Sequence, residues 1–227
     1  PMSYYGEGEV SADFPGLARR RRQQDMPGVK QIYLTGAAGN IVAGKYNTGA
    51  RENRAALAGR LYQGMAAAWK NTKTYSLTNI SFRAEPVRFE PRFDRGFAPS
   101  ELEAKLNPQT KPFEQCLAAM GLSWCQRVAA DSPVVIPCLD FGFAQWLVLP
   151  GESYVEFQLA AQRMRPGSFV LVAGFGEGAT GYIPTEKHRA EGDGNLSDWC
   201  WVAPGAEARL LEAIRRVLSP REPTAAP

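Results

Sequence analysis

The sequence predicts an α/β fold, with mixed sheets and flanking helices, and three observations carry that prediction. Short apolar runs bounded by Gly and Pro alternate with longer stretches whose apolar residues recur every three or four positions, the two periods that distinguish strands from helices. The 227 residues, 44% hydrophobic and 22% charged, allow a substantial core and exclude disorder, collagen-like repeats and disulfide miniproteins. No repeat or composition shift marks a linker, so 1–218 reads as one α/β unit and 219–227, rich in Pro and Ala, as a loose tail.

In chain order, 29–35 (VKQIYLT) is an apolar run between Pro27-Gly28 and Gly36, the flanks of a buried strand, and it leads into a glycine-rich turn over 36–49. From Arg51 to Lys73, Leu57, Leu61, Met65 and Trp69 recur every four residues, with Arg54, Arg60 and Gln63 off that stripe; this is an amphipathic helix. Between Tyr75 and Arg92 apolar residues alternate imperfectly, and Pro86 and Pro91 point to an edge strand or bent pair, because proline cannot donate to a ladder. A helix is expected over 112–130, from Phe113, Leu117, Met120, Trp124 and Val128. The close runs 134–143 and 145–149 suggest neighbouring strands of a hairpin. Residues 152–165 read as helical, 168–175 as a buried strand, and 206–218 as a closing amphipathic helix.

The charge balance, 26 basic against 23 acidic residues, is too even to imply a nucleic-acid partner, and Arg19 to Arg22 read as a solvated helix face. Apolar runs stay far below the ~18 residues a membrane-spanning helix needs, and because Pro1 opens no charged-then-apolar stretch, no signal segment is expected in these residues. A folded, soluble protein of unassigned compartment is the expectation. Four cysteines, at 116, 125, 138 and 200, form no Cys-x-x-Cys pair and fix no disulfide. There is a single histidine, His188. Histidine is the usual general base and the commonest metal ligand, so a self-contained metal or triad site is hard to build. Its neighbours Glu186, Lys187 and Arg189 make an exposed helix face the expected setting.

Two glycine patterns come directly after predicted strands. Residues 39–45 (GNIVAGK) fit the first seven positions of a phosphate loop, but Tyr46 stands where a magnesium-binding hydroxyl belongs and Asn47-Thr48-Gly49 continues the turn. Residues 176–181 (GEGATG) match a dinucleotide fingerprint, yet Tyr182-Ile183-Pro184 keeps the chain extended where a helix should start. Both read as tight loops. Pro150-Gly151-Glu152 and Gly181-Tyr182-Ile183-Pro184-Thr185 each end a predicted strand, where α/β proteins place reacting groups. Glu152 there is either a site residue or a carboxylate favoured by a helix dipole. Tyr182 is either a site residue or an aromatic plug.

At these residues the sequence resembles the catalytic domain of the neutral ceramidase-like zinc amide hydrolases, in their bacterial, shorter-looped branch. Pro150-Gly151-Glu152 with 154–157 (YVEF) is similar to the segment whose glutamate ligates zinc, and 178–185 (GATGYIPT) is similar to the tyrosine-bearing strand that supplies a phenol ligand. Residues 36–40 (GAAGN) resemble the family's glycine turn, and 1–6 (PMSYYG) resemble the segment immediately after its second zinc histidine. The likeness runs from Pro1 to about Leu218 and is thin between Arg83 and Val148.

The resemblance implies a partial ceramidase-like catalytic domain in which a metal-activated water attacks an N-acyl amide. It implies Glu152 and Tyr182 as metal ligands, Tyr182 and Asn40 at the reacting centre, and Ser3, Gly36, Ala37, Ala38 and Gly39 lining the substrate. Zinc is the implied cofactor and an N-acyl amide or lipid-like small molecule the substrate; nucleic acid and a transmembrane segment are not expected. The chain departs from the family pattern in lacking both zinc histidines, one expected from a missing N-terminal half of the domain and one just before Pro1. It carries Asn40 for an aspartate, Val42 for a serine, and Gly194 where a second site tyrosine stands. With an incomplete metal site, little or no hydrolysis by this chain alone is expected. The rival readings are a binding or scaffold protein that kept the fold without the chemistry, and nucleotide binding through 39–45.

Overall fold

A computed structural model describes residues 10–178 and 180–219, and within them the chain forms two compact units. The first, within residues up to 34 and 41–76, contains helices α1 (Asp13–Asp25) and α2 (Asn53–Lys70). Asp13 pairs with Arg54 at 2.9 Å and the Tyr62 hydroxyl donates to Asp25 at 2.5 Å, so the two N-terminal ends lie together and the helices run side by side in the same direction. The predicted stripe on α2 is only half-buried at Leu57, Leu61 and Met65 and exposed at Trp69.

The second unit holds 35–40 and the chain from 77 onward. It contains β1 (Ser81–Val87), α3 (Pro99–Ala104), α4 (Pro112–Ala129), β2 (Val134–Asp140), β3 (Ala144–Pro150), β4 (Glu152–Ser153) and α5 (Val155–Met164). After these come β5 (Phe169–Gly176), β6 (Tyr182–Ile183), α6 (Glu186–Ala190), a 3-10 turn (Gly194–Leu196) and α7 (Ala206–Leu218). The main sheet has the order β1-β2-β3-β5, antiparallel except for the parallel β3–β5 pair, while β4 and β6 form a separate parallel pair. This is the mixed α/β architecture with flanking helices that the periodicities predict. The 134–149 hairpin and the helices at 112 and 206 form where expected, and β1 is an edge strand.

One face of the sheet is the core. Val87, Ile136, Cys138, Leu147 and Val170 are buried there with Phe157 and Ala161 of α5 and Leu210, Ala213, Ile214 and Val217 of α7. Burial at 206, 210, 213, 214, 217 and 218 is the three-and-four spacing of an amphipathic helix, and it sets which way α7 faces. The opposite face carries a row of register partners, Phe82, Leu139, Trp146 and Leu171, running across all four strands, with Phe82 65% and Leu171 47% exposed. No charged residue stands on that face of the four strands.

Four expectations are corrected. The run 168–175 is not a buried strand: β5 pairs only with β3, at the other edge of the sheet, and leaves Phe169, Leu171 and Phe175 exposed. Residues 29–35 form no strand, and Ile32 is 81% exposed. A lone apolar run becomes a strand only by pairing, and of this stretch Thr35 alone reaches the sheet, its carbonyl accepting from the Gly174 amide at 2.8 Å. Glu152 does not start a helix: its amide donates to the Gly181 carbonyl at 2.9 Å, which holds it in β4, and α5 begins at Val155. His188 is not on an exposed face, since its side chain is only 20% exposed. The tail beyond 219 lies outside the described residues.

Candidate functional site

The candidate site is built on β4, which is held from two sides. Toward β6, the Tyr154 amide donates to the Ile183 carbonyl at 3.1 Å, in the same ladder that fixes Glu152. From the other side, the Gly39 amide donates to the Ser153 carbonyl at 3.1 Å. That approach requires glycine: a Cβ on residue 39 would stand 2.2 Å from the Glu152 carbonyl oxygen and 2.8 Å from the Tyr154 ring. The turn into β4 depends on Gly151, at φ +46°, where a Cβ would fall 2.0 Å from the Thr180 hydroxyl.

In this frame Glu152 and Tyr182 are direct register partners, so their side chains leave the same face of the β4–β6 pair. Burial pushes the Glu152 carboxyl above its ordinary range, and the neighbouring Tyr182 phenol opposes that rise. The Tyr182 ring meets the Tyr154 ring edge-on, with centroids 6.1 Å apart. Tyr154 is fully buried and donates to Asp193 Oδ2 at 2.7 Å; burial, reinforced by that carboxylate, raises its pKa well above the usual phenol value, so it stays protonated.

On the far side of Tyr154 lies a second polar cluster. The His188 ring packs edge-on against Tyr154 at 5.0 Å, with Nδ1 2.7 Å from the Thr185 hydroxyl and Nε2 3.8 Å from Glu156 Oε1. Asn40 closes the cluster: its Nδ2 donates to Glu156 Oε2 at 3.0 Å, and its Oδ1 accepts from the Val155 amide at 2.9 Å, capping α5.

Of the residues singled out by sequence, the structure thus brings Glu152 and Tyr182 into contact and sets Gly39 and Asn40 against β4 and the start of α5. Gly36 and Ala37 stand against Gln158 of α5, whose Oε1 accepts from the Ala37 amide at 3.1 Å, and Ala38 is half-buried in the same turn. Ser3, with 1–6, lies outside the described residues. Sequence reasoning gave Glu156, Tyr154 and Asp193 no role of their own. The signal for His188 was its place three residues after Thr185, the spacing at which a helix-capping residue meets the first turn. After the phosphate-loop pattern at 39–45 no helix begins before Asn53. The surface hollows lined by Val87, Trp124 and Val134 and by Phe97, Leu102 and Trp201 include none of the site residues.

Zinc needs four ligands in a structural site, or three and a water in a hydrolytic one. A carboxylate and a phenol are oxygen donors of suitable chemistry, but they are two. Among the described residues no group of three or more His, Cys, Asp or Glu side chains is placed to hold a metal ion.

Compared with known proteins, the chain matches no protein-family model and no curated protein. Among solved structures it is similar to the neutral ceramidase from Pseudomonas aeruginosa, with a TM-score of 0.59 at 15% identity over 92% of this chain and 40% of that one. It is also similar to a ceramidase complexed with C2, with a TM-score of 0.60 at 14% identity over 92% of this chain and 42% of that one. The fold is ceramidase-like. The chain spans about two-fifths of the length of these ceramidases.

Proposed function

We propose that this chain is the C-terminal part of the catalytic domain of a zinc-dependent hydrolase that cleaves an N-acyl amide of lipid-like character. The observation that carries the reading is the Glu152–Tyr182 pairing within a ceramidase-like fold: a carboxylate and a phenol from distant segments share one face of one short ladder. In this reading the two are metal ligands, completed by imidazoles from polypeptide outside this chain, and the 36–40 turn with Ser3 lines the substrate. Zinc supplies Lewis acidity, polarising a carbonyl and making water acidic enough to react near neutral pH.

The chain's own residues contribute placement. The ladder to Gly181 and Ile183 fixes Glu152, the register sets the Tyr182 phenol beside it, and Tyr154, locked to Asp193, backs Tyr182. Asn40 holds the start of α5 against the turn. With two donors, the chain alone is an inactive half-site. The uncharged sheet face bearing Phe82, Leu139, Trp146 and Leu171 supports a missing half, because a sheet with two apolar faces calls for a layer on each.

The test is zinc calorimetry on this chain and on one extended upstream in its reading frame, each with Glu152→Gln and Tyr182→Phe, and then hydrolysis of a short-chain fluorescent N-acyl sphingosine. Tight binding by the extended chain alone, weakened by either substitution, is expected. Equal and negligible binding by both chains overturns the metal reading and leaves a scaffold that kept the fold.

A further inference from the structure

We propose that the α1–α2 unit docks on an anionic lipid surface. Over residues 1–76 the sequence carries eleven Lys and Arg against five Asp and Glu, a net of +6 in a chain whose total is +3, so the remainder is net acidic. Two of these acids are already engaged inside the unit, Asp13 by Arg54 and Asp25 by Tyr62 and Arg22. Arg20, Arg21, Lys45, Arg60, Lys70 and Lys73 are exposed.

Charge alone would suit any polyanion; the side chains standing among the cations decide between them. Tyr33, Val42, Tyr46, Trp69 and Tyr75 are exposed in the same unit, and the Arg60 and Arg21 guanidiniums lie 4.2 and 3.8 Å over the Tyr46 and Tyr62 rings. Long cationic side chains beside aromatic and aliphatic ones are the composition of a protein surface that rests at the headgroup level. There the cations meet anionic headgroups and the rings enter the acyl boundary. A nucleic-acid backbone offers exposed Val42 and Ile32 nothing to bury them. The sheet face of the second unit is the contrast: apolar without a single charge, it fits a protein layer. No helix among the described residues is long and apolar enough to cross a membrane, so docking here is peripheral.

Cosedimentation of this chain with phosphatidylcholine vesicles, with and without phosphatidylserine, tests the proposal without zinc or turnover. Its failure therefore leaves the hydrolase reading intact, and the converse holds. Partition onto the anionic vesicles is expected to be at least about tenfold stronger and to fall as added salt shortens the screening length below about 10 Å. The triple substitution Arg20→Glu, Lys70→Glu, Lys73→Glu should abolish the difference with the helical circular dichroism unchanged. Trp69→Phe should remove the blue shift in tryptophan emission on binding. Equal partition onto both vesicle types, persistence in the triple variant, or tighter binding to duplex DNA than to anionic vesicles at matched salt overturns it.

Discussion

Glu152 and Tyr182 face one another across the parallel β4–β6 ladder, and the Tyr182 phenol works against the burial that raises the Glu152 carboxyl. Each backbone is held independently of that contact, Glu152 by the Gly181 carbonyl and Tyr182 by the Trp199 carbonyl, to which its amide donates at 2.7 Å. The pair is therefore positioned by the backbone of the fold itself.

Burial raises the Glu152 carboxyl above its unfolded value, so folding favours the protonated form. Its contribution to stability is full below the ordinary carboxylate range and is lost as pH rises through the folded value. Glu152→Gln should accordingly be more stable than the parent at pH 7, with the gap closing toward pH 4, in urea denaturation at the two pH values. Tyr182→Phe removes the phenol that opposes the rise and should lower stability at pH 7, by about 1 kcal/mol at most.

Gly39→Ala places a methyl against the Glu152 backbone, which cannot rotate away as a side chain could, and should destabilise by about 1–3 kcal/mol. Gly59 in α2 is the control, with nothing within 4 Å of an added Cβ. There alanine should stabilise by about 1 kcal/mol through helix propensity, read from paired denaturation curves.

Asn40 both caps α5 and braces Glu156, and two substitutions separate the roles. Asn40→Ala loses both and should cost about 0.5–2 kcal/mol. Asn40→Asp keeps the acceptor for the Val155 amide but sets a second carboxylate against Glu156. Its cost at pH 7 should diminish as pH falls toward about 4, which thermal melts across that range would register.

The parts of the fold that were legible are those in which local pattern and final burial coincide. The spacing of Leu210, Ile214 and Val217 in α7 and the adjacency of β2 and β3 each specify their own outcome. Sequence periodicity could not supply pairing between distant segments. Glu152 sits in a helix-like stretch, yet the Gly181 carbonyl and the Gly39 approach make it a strand, and neither is visible from its neighbours. The run 29–35 has the composition of a strand and lacks its ladder. The convergence of Glu152, Tyr182 and the 36–40 turn on one strand pair was legible through the family resemblance. His188, Glu156 and Tyr154 were not, because they meet only when α6 returns to the start of α5.

Tyr154 is fully buried with its hydroxyl on Asp193, and its folded pKa is raised, so folding favours the neutral phenol. That contribution is present below the free-phenol value of about 10 and is lost as pH rises toward the folded value. Stability should therefore fall above about pH 10, and Tyr154→Phe should lose part of that alkaline sensitivity while costing about 1 kcal/mol at pH 7. Denaturant midpoints against pH for the two proteins would measure both effects.

The sheet row of Phe82, Leu139, Trp146 and Leu171 separates a true surface from half of an interface. In this chain Leu171→Glu should shift stability by no more than about 0.5 kcal/mol, because the side chain is nearly half exposed, and should reduce self-association in sedimentation velocity. In a chain extended upstream, the same substitution buries an unpaired carboxylate if a second layer covers the row, and should then cost several times as much. Equal, small effects in both chains would mean that no second layer covers the row in the extended chain either.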